Sequence, residues 1–192
     1  VLEKIQKSFK KKKKSIKRKN INKIENYIKK SKRPIIIIGN GVKISKSEKE
    51  LYSLINKYKI PYTLTWATAD LHNSNNELNV GSFGNYATRH GNFAIQNSDL
   101  LLILGCRMNG TQIGSNPKIF APNAKKILVD IDPAELKEEN GLKIDYKINS
   151  DLKFFIKSFA QYAKKFRIDK KWYSVIKDWK KNYPIITDEM YK

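Results

Sequence analysis

One cysteine, Cys106, in 192 residues excludes a disulfide framework and any four-cysteine zinc cluster. Only two histidines are present. His90 lies in a helix-like run with no carboxylate or cysteine close by, and His72 lies in a polar loop. Neither is expected to act as a base or a ligand, and no histidine-containing triad, zinc motif or P-loop can be assembled. Long apolar runs are also missing. "PIIII" and "LLLIL" are far shorter than the roughly 20 residues that cross a bilayer, and the Lys-rich start has no apolar signal core. A cytoplasmic protein without a membrane partner is expected. Acidic residues are scarce too, 18 against 39 Lys and Arg, for a net charge of +21.

That charge is uneven. Residues 1–33 carry +13 and the remaining residues only +8. The excess centres on "KKKKKSIKRKN" at 10–20, which reads either as an arm for a nucleic acid or anionic membrane or as a solvated linker. No aromatic-interleaved basic surface accompanies it, so the linker reading is preferred and nucleic acid is not an expected partner. Residues 1–32 are taken as a basic linker and lead-in helix, the first 19 as a polar and weakly helical stretch. Within it, Ile21, Ile24 and Ile28 recur at helical spacing with Tyr27 beside them.

The rest alternates strand and helix. "RPIIIIGNGV" at 33–42 reads as a strand running into a glycine loop, with Pro34 at its first position. Ser45 and Glu48 match a capping box that would open a helix to about Lys59, with Leu51, Leu54, Ile55 and Tyr58 as its apolar stripe. "IPYTLTW" predicts a second strand, followed by a polar loop over 67–82. "NYATRHGNFAIQNS" predicts a helix with Phe93 and Ile95 buried. "DLLLILG" and "KKILVDID" predict two more strands, separated by a loop, and "YKINSD" a fifth. Helices are expected over 151–166 and 169–184, the latter with Trp172, Val175, Ile176 and Trp179 on one face. Unbroken apolar strands indicate burial on both sheet faces, as in parallel sheets. The order implies an α/β fold: a doubly wound, mainly parallel, Rossmann-like sheet flanked by helices. Residues 33–165 would form it, and 166–192 a helical tail.

Ligands of such sheets lie beyond the strands' carboxyl ends. Those ends carry Gly39-Asn40-Gly41, Thr65, Gly105-Cys106-Arg107 and Asp130-Ile131-Asp132. Glycines admit close backbone approach, or serve a tight turn with positive φ. Arginine pairs with diphosphate. Aspartates accept from ribose hydroxyls or an adenine amine, or simply end a strand in solvent. Cys106 reads as a small buried hydrophobe rather than a reactive thiol. The residues alone are compatible with a stand-alone adenine-nucleotide-binding module.

Four stretches, "RPIIIIGNGV", "IPYTLTW", "GNYATRHGNFAIQNSDLLLILGCRMNGTQIG" and "FAPNAKKILVDIDPAEL", resemble the central domain of thiamine-diphosphate-dependent enzymes, closest to the acetolactate synthase large subunit. The resemblance spans about residues 33–156. It implies a non-catalytic middle domain of an enzyme that decarboxylates a 2-oxo acid and ligates it to a second carbonyl compound. Thiamine diphosphate and magnesium would be bound by first and third domains, which this chain lacks; the G-D-G motif of the third is not present. Those domains would be its partners, in a homodimer or homotetramer. The resemblance further implies FAD or ADP in this domain, on Gly39, Asn40 and Gly41; Thr65 and Trp66; Phe83, Gly84 and Asn85; Gly105, Arg107 and Asn109; Asp130, Ile131 and Asp132; and Ser150 and Asp151. Asn109 and Thr111 stand where flavin-binding members tend to have an acid and an arginine, so ADP is expected to fit better than FAD. No residue of this chain is expected to be catalytic or to bind a metal.

Overall fold

The computed structural model describes residues 16–71, 76–137, 140–164, 166 and 168–186. Residues 1–15 and His72, and the expectations placed on them, lie outside the described residues. Six strands form one sheet: β1 (Pro34–Ile38), β2 (Tyr62–Leu64), β3 (Asn79–Ser82), β4 (Leu100–Leu104), β5 (Lys125–Asp130) and β6 (Tyr146–Asn149). Their spatial order is β3-β2-β1-β4-β5-β6, and every pairing is parallel. This is the doubly wound order, with its direction reversing between β1 and β4.

The central strands form because isoleucine and leucine can be buried on both faces there. All five residues of β1 and all five of β4 are buried. Pro34 opens β1, where its missing N–H costs no ladder bond. β3 corrects the expected loop over 67–82: Asn79, Val80 and Gly81 are buried at the sheet edge. A 3₁₀ turn, Trp66–Leu71, precedes it.

Among the described residues, the five helices longer than two turns are α1 (Arg18–Lys30), α2 (Glu48–Tyr58), α3 (Arg89–Asn97), α4 (Leu152–Tyr162) and α5 (Lys170–Asn182), and they flank the sheet. Ile21, Ile24 and Ile28 of α1 are buried, as is Ile16 before it, so this helix shares the domain's core and packs on α4. Lys29 pairs with Glu25 one turn earlier, and Lys29 and Lys30 sit at the end where cations suit the helix dipole.

The stripe Leu51, Leu54, Ile55 and Tyr58 is buried as expected, but the capping box is not made. A separate helical turn, Gly41–Ile44, comes first, and α2 opens after Ser47. The Ser45 hydroxyl donates back to Val42 O at 3.0 Å and contacts Ser47 Oγ at 2.7 Å. Residues 85–88, expected to be helical, precede α3, whose Thr88 cap accepts the Gly91 N–H. On α5, Trp172 and Ile176 are buried and Trp179 packs against the core, but Val175 is exposed. Phe93 is half-buried rather than core; its ring meets Tyr183 edge-on at 5.0 Å. Trp172 Nε1 donates to Pro34 O at 3.3 Å, fixing α5 against the start of β1.

Candidate functional site

Register brings the predicted residues into line. Leu64 is level with Ile38, Ile38 with Leu104, Leu104 with Val129, and Asp130 with Asn149. The next residues along, Thr65, Gly39, Gly105 and Asp130, therefore form a row along the carboxyl edge, centred where the strand order reverses.

The two glycine loops close on each other there. Gly39 N donates to Leu104 O at 2.9 Å and Gly41 N to Gly105 O at 3.0 Å. A Cβ on Gly39 would lie 2.2 Å from Gly105 O, and one on Gly41 would lie 2.8 Å from Gly105 Cα. Positive φ is not what Gly39 and Gly41 supply; among these three only Gly105 is left-handed, at +56°. They provide room for one backbone against the other. Asn40 is exposed and leads the helical turn.

Asp130 ends β5 and is 9% exposed. Its Oδ1 accepts the Asp132 N–H at 2.9 Å, and Asp132 Oδ1 accepts the Ala134 N–H at 2.8 Å, two successive aspartate turns. Asn149 Nδ2 donates to Ile131 O at 2.8 Å and holds the same corner. Burial raises the Asp130 pKa, against the Asp132 amide and Arg107, which pull it down. A carboxylate whose charge is disfavoured by burial gains from an added hydrogen-bond donor, and ribose hydroxyls and adenine amines are donors.

Arg107 is 73% exposed, and its Nε lies 2.6 Å from Glu135 Oε1. Glu135 was missed in the sequence, where it is simply one acid of a polar loop; the pairing of β4 with β5 brings it to Arg107. Cys106 is buried, and its thiol is pushed up to about 12 by burial and then by Asp130. This matches the unreactive reading.

Other predicted residues lie on the same edge with their polar atoms engaged. Thr65 is buried, its hydroxyl 3.2 Å from that of Thr68. Gly84, at φ +113°, exchanges two hydrogen bonds with the Asn92 side chain. Asn85 N donates to Thr111 O at 2.9 Å, and the Thr111 hydroxyl donates to Asn109 Oδ1 at 2.6 Å. Asp151 caps α4 by accepting the Phe154 N–H. Gly110, beside Asn109, has open space where a Cβ would stand. His90 is buried and donates from Nδ1 to Tyr183 O at 2.9 Å, a packing role. A crevice of about 20 Å³ beside Cys106 and Glu135 has room for about one water.

Among the described residues no three His, Cys, Asp or Glu side chains converge on a common point as a metal site would need, and no helix is long and apolar enough to cross a membrane.

This edge thus groups acceptors at Asp130 and Asp132, an exposed cation at Arg107 and open backbone at Gly110. Residues 21–159 match the family described as thiamine pyrophosphate enzyme, central domain. The chain is similar to the acetolactate synthase large subunit of Cyanidium caldarium, 34% identical over 86% of this chain and 29% of that protein. It is similar to a probable acetolactate synthase large subunit of Methanococcus aeolicus, at 36% over 71% of this chain and 22% of that protein. A third, from Pyropia yezoensis, is 31% identical over 90% and 30%. The chain spans less than a third of the length of these relatives.

Proposed function

The chain belongs to the thiamine pyrophosphate enzyme central-domain family, and on that premise we propose that it is the non-catalytic, nucleotide-binding middle domain of an acetolactate-synthase-like enzyme. The parent enzyme would decarboxylate a 2-oxo acid and ligate the product to a second carbonyl compound. Thiamine diphosphate, when bound, supplies a ring that takes up the electrons left by decarboxylation. That cofactor and magnesium would be held by the first and third domains of the parent.

The observation that carries the reading is the row Gly39, Gly105 and Asp130 at the strand-order reversal, with Arg107 beside it. Asp130 and Asp132 would accept from the adenosine half of ADP or FAD, and Arg107 would face the diphosphate. Ile44, Trp66 and Tyr86, in the segments that follow β1, β2 and β3, are 76%, 74% and 91% exposed. In the assembled parent, the neighbouring domains of a homodimer or homotetramer would cover these side chains.

Calorimetric titration with ADP and with FAD tests the site. ADP is expected to bind more tightly than FAD. Asp130→Ala should weaken it by about 1–3 kcal/mol, the cost of one lost acceptor, with the melting temperature followed as a control for folding. No heat from either ligand at millimolar concentration would overturn the nucleotide reading.

A further inference from the structure

A second opening lies at the other edge of the sheet, where the chain enters the strands. A cavity of about 270 Å³ lies between the loop entering β5 and the loop entering β6. It is separated from Asp130 by the length of β5, about 17 Å for six residues. We propose that this cavity binds the phosphate group of a small phosphorylated metabolite.

Charge carries the argument. Lys118, Lys125, Lys126 and Lys143 line the cavity, against a single carboxylate, Asp145. Both oxygens of that carboxylate are engaged: Oδ1 with Lys125 Nζ at 3.0 Å and Oδ2 with the Lys126 backbone N–H at 3.0 Å. Lys118 and Lys143 are exposed and make no ion pair among the described residues.

Lys126 is the unusual member. Lysine is almost never fully buried unless paired, yet this one is 5% exposed. Its Nζ donates to Ala121 O at 2.8 Å and Ala124 O at 3.1 Å. An ammonium has three donors, so the two carbonyls leave one over. Burial lowers its pKa, opposed by Asp145, and an anion in the cavity would offset the cost of keeping the charge. A solvated surface explains Lys118 and Lys143 but not Lys126, a buried lysine among the residues that line the cavity.

Size and walls narrow the ligand. The volume falls just below the range of about 300–1,000 Å³ typical of drug-sized ligands, too small for a dinucleotide. Phe120 and Leu142 are buried apolar lining residues and would pack against a carbon skeleton, so a phosphate monoester suits the cavity better than free phosphate.

The test titrates the 192-residue chain with inorganic phosphate and with ribose 5-phosphate, at fixed ionic strength and against chloride. Saturable binding of both is expected, with the monoester the tighter. The double variant Lys118→Ala/Lys143→Ala, whose side chains are exposed, should weaken both by about tenfold or more. Lys126→Met should do the same if its melting temperature is retained. Absence of saturable binding, or affinity unchanged in the double variant, would overturn the site. Equal affinity for the two ligands would overturn its assignment to a metabolite.

Discussion

Arg107 and Glu135 bridge two loops across the sheet's carboxyl edge: the arginine after β4 holds, at 2.6 Å, an acid from the segment after β5. The guanidinium proposed to meet a diphosphate is thus partly engaged by a carboxylate of its own chain. The arginine is exposed and the glutamate half-buried, and ion pairs open to solvent on one side contribute about 1 kcal/mol. Glu135→Gln should therefore tighten ADP binding by up to about fivefold, while Arg107→Ala weakens it. Titration of both variants checks this. Weakening by Glu135→Gln would mean that Glu135 itself meets the nucleotide.

The contact between the glycine loops makes a sharper prediction for stability. Gly39→Ala places a methyl 2.2 Å from Gly105 O and 2.5 Å from Cys106 Cα. Backbone, unlike a long side chain, cannot swing aside. A loss of about 1–3 kcal/mol is expected, as for overpacked cores, read as a lower denaturation midpoint. Gly110→Ala, with open space around it, should leave stability nearly unchanged.

Much of this edge could be read in the sequence, because β1, β4 and β5 are apolar runs ending in glycine or acid, and a parallel sheet places such ends together. β3 could not: "NVGS" is short, half polar and at the edge, and it becomes a strand only because β2 lies beside it. The Ser45–Glu48 spacing misled because the Gly41–Ile44 turn uses Ser45 first. Glu135 and Lys126 carried no signal of their own. Their roles come from strand pairing and from carbonyls several residues away, which residue type and spacing do not encode.

Two aspartates at opposite ends of the β5–β6 edge should titrate with opposite effects on stability. Burial raises the Asp130 pKa. The folded state then holds its proton more tightly than the unfolded chain, so this group's contribution falls as pH rises from about 3.9, the unfolded value, to the folded pKa. For Asp145 burial acts upward, but the Lys126 amide and Lys125 ammonium outweigh it and the net shift is downward. Its contribution is present above the unfolded value and is lost as pH falls through the folded one. Relative to wild type, Asp130→Asn should gain stability at neutral pH and lose that gain toward pH 3. Asp145→Asn should cost about 1–3 kcal/mol at neutral pH, shrinking toward pH 3. Urea midpoints measured across that range check both signs; parallel curves for the two variants would contradict the assignment.

Helix α1 supplies a test of where the domain begins. Ile24 is fully buried within the helix that packs on α4, and truncating a buried isoleucine costs about 2–5 kcal/mol. Ile24→Ala should therefore lower the melting temperature clearly. Asn22→Ala, at an exposed position of the same helix, should leave it within a degree or two. Equal losses from the two changes would contradict the packing of α1 on α4 through its buried face.

The chain by itself should not form acetolactate from pyruvate, even with thiamine diphosphate and magnesium. Catalysis on that cofactor requires its ring to be held and activated and its diphosphate to be anchored through the metal, and the G-D-G element of such an anchor does not occur here. The carboxylates at the carboxyl edge each hold part of their own chain, Asp130 and Asp132 a backbone amide through Oδ1, Asp151 a helix cap and Glu135 the Arg107 side chain, and their remaining lone pairs can accept from a nucleotide. A colorimetric acetolactate assay on the purified chain should give the uncatalysed background, and titration with thiamine diphosphate and magnesium should give no saturable heat, while ADP does. Turnover by the chain alone would overturn its reading as a non-catalytic domain. Nucleotide binding without turnover separates the two properties, because the groups at Gly39, Gly105, Arg107 and Asp130 can recognise a nucleotide but include no base positioned to activate a thiazolium ring.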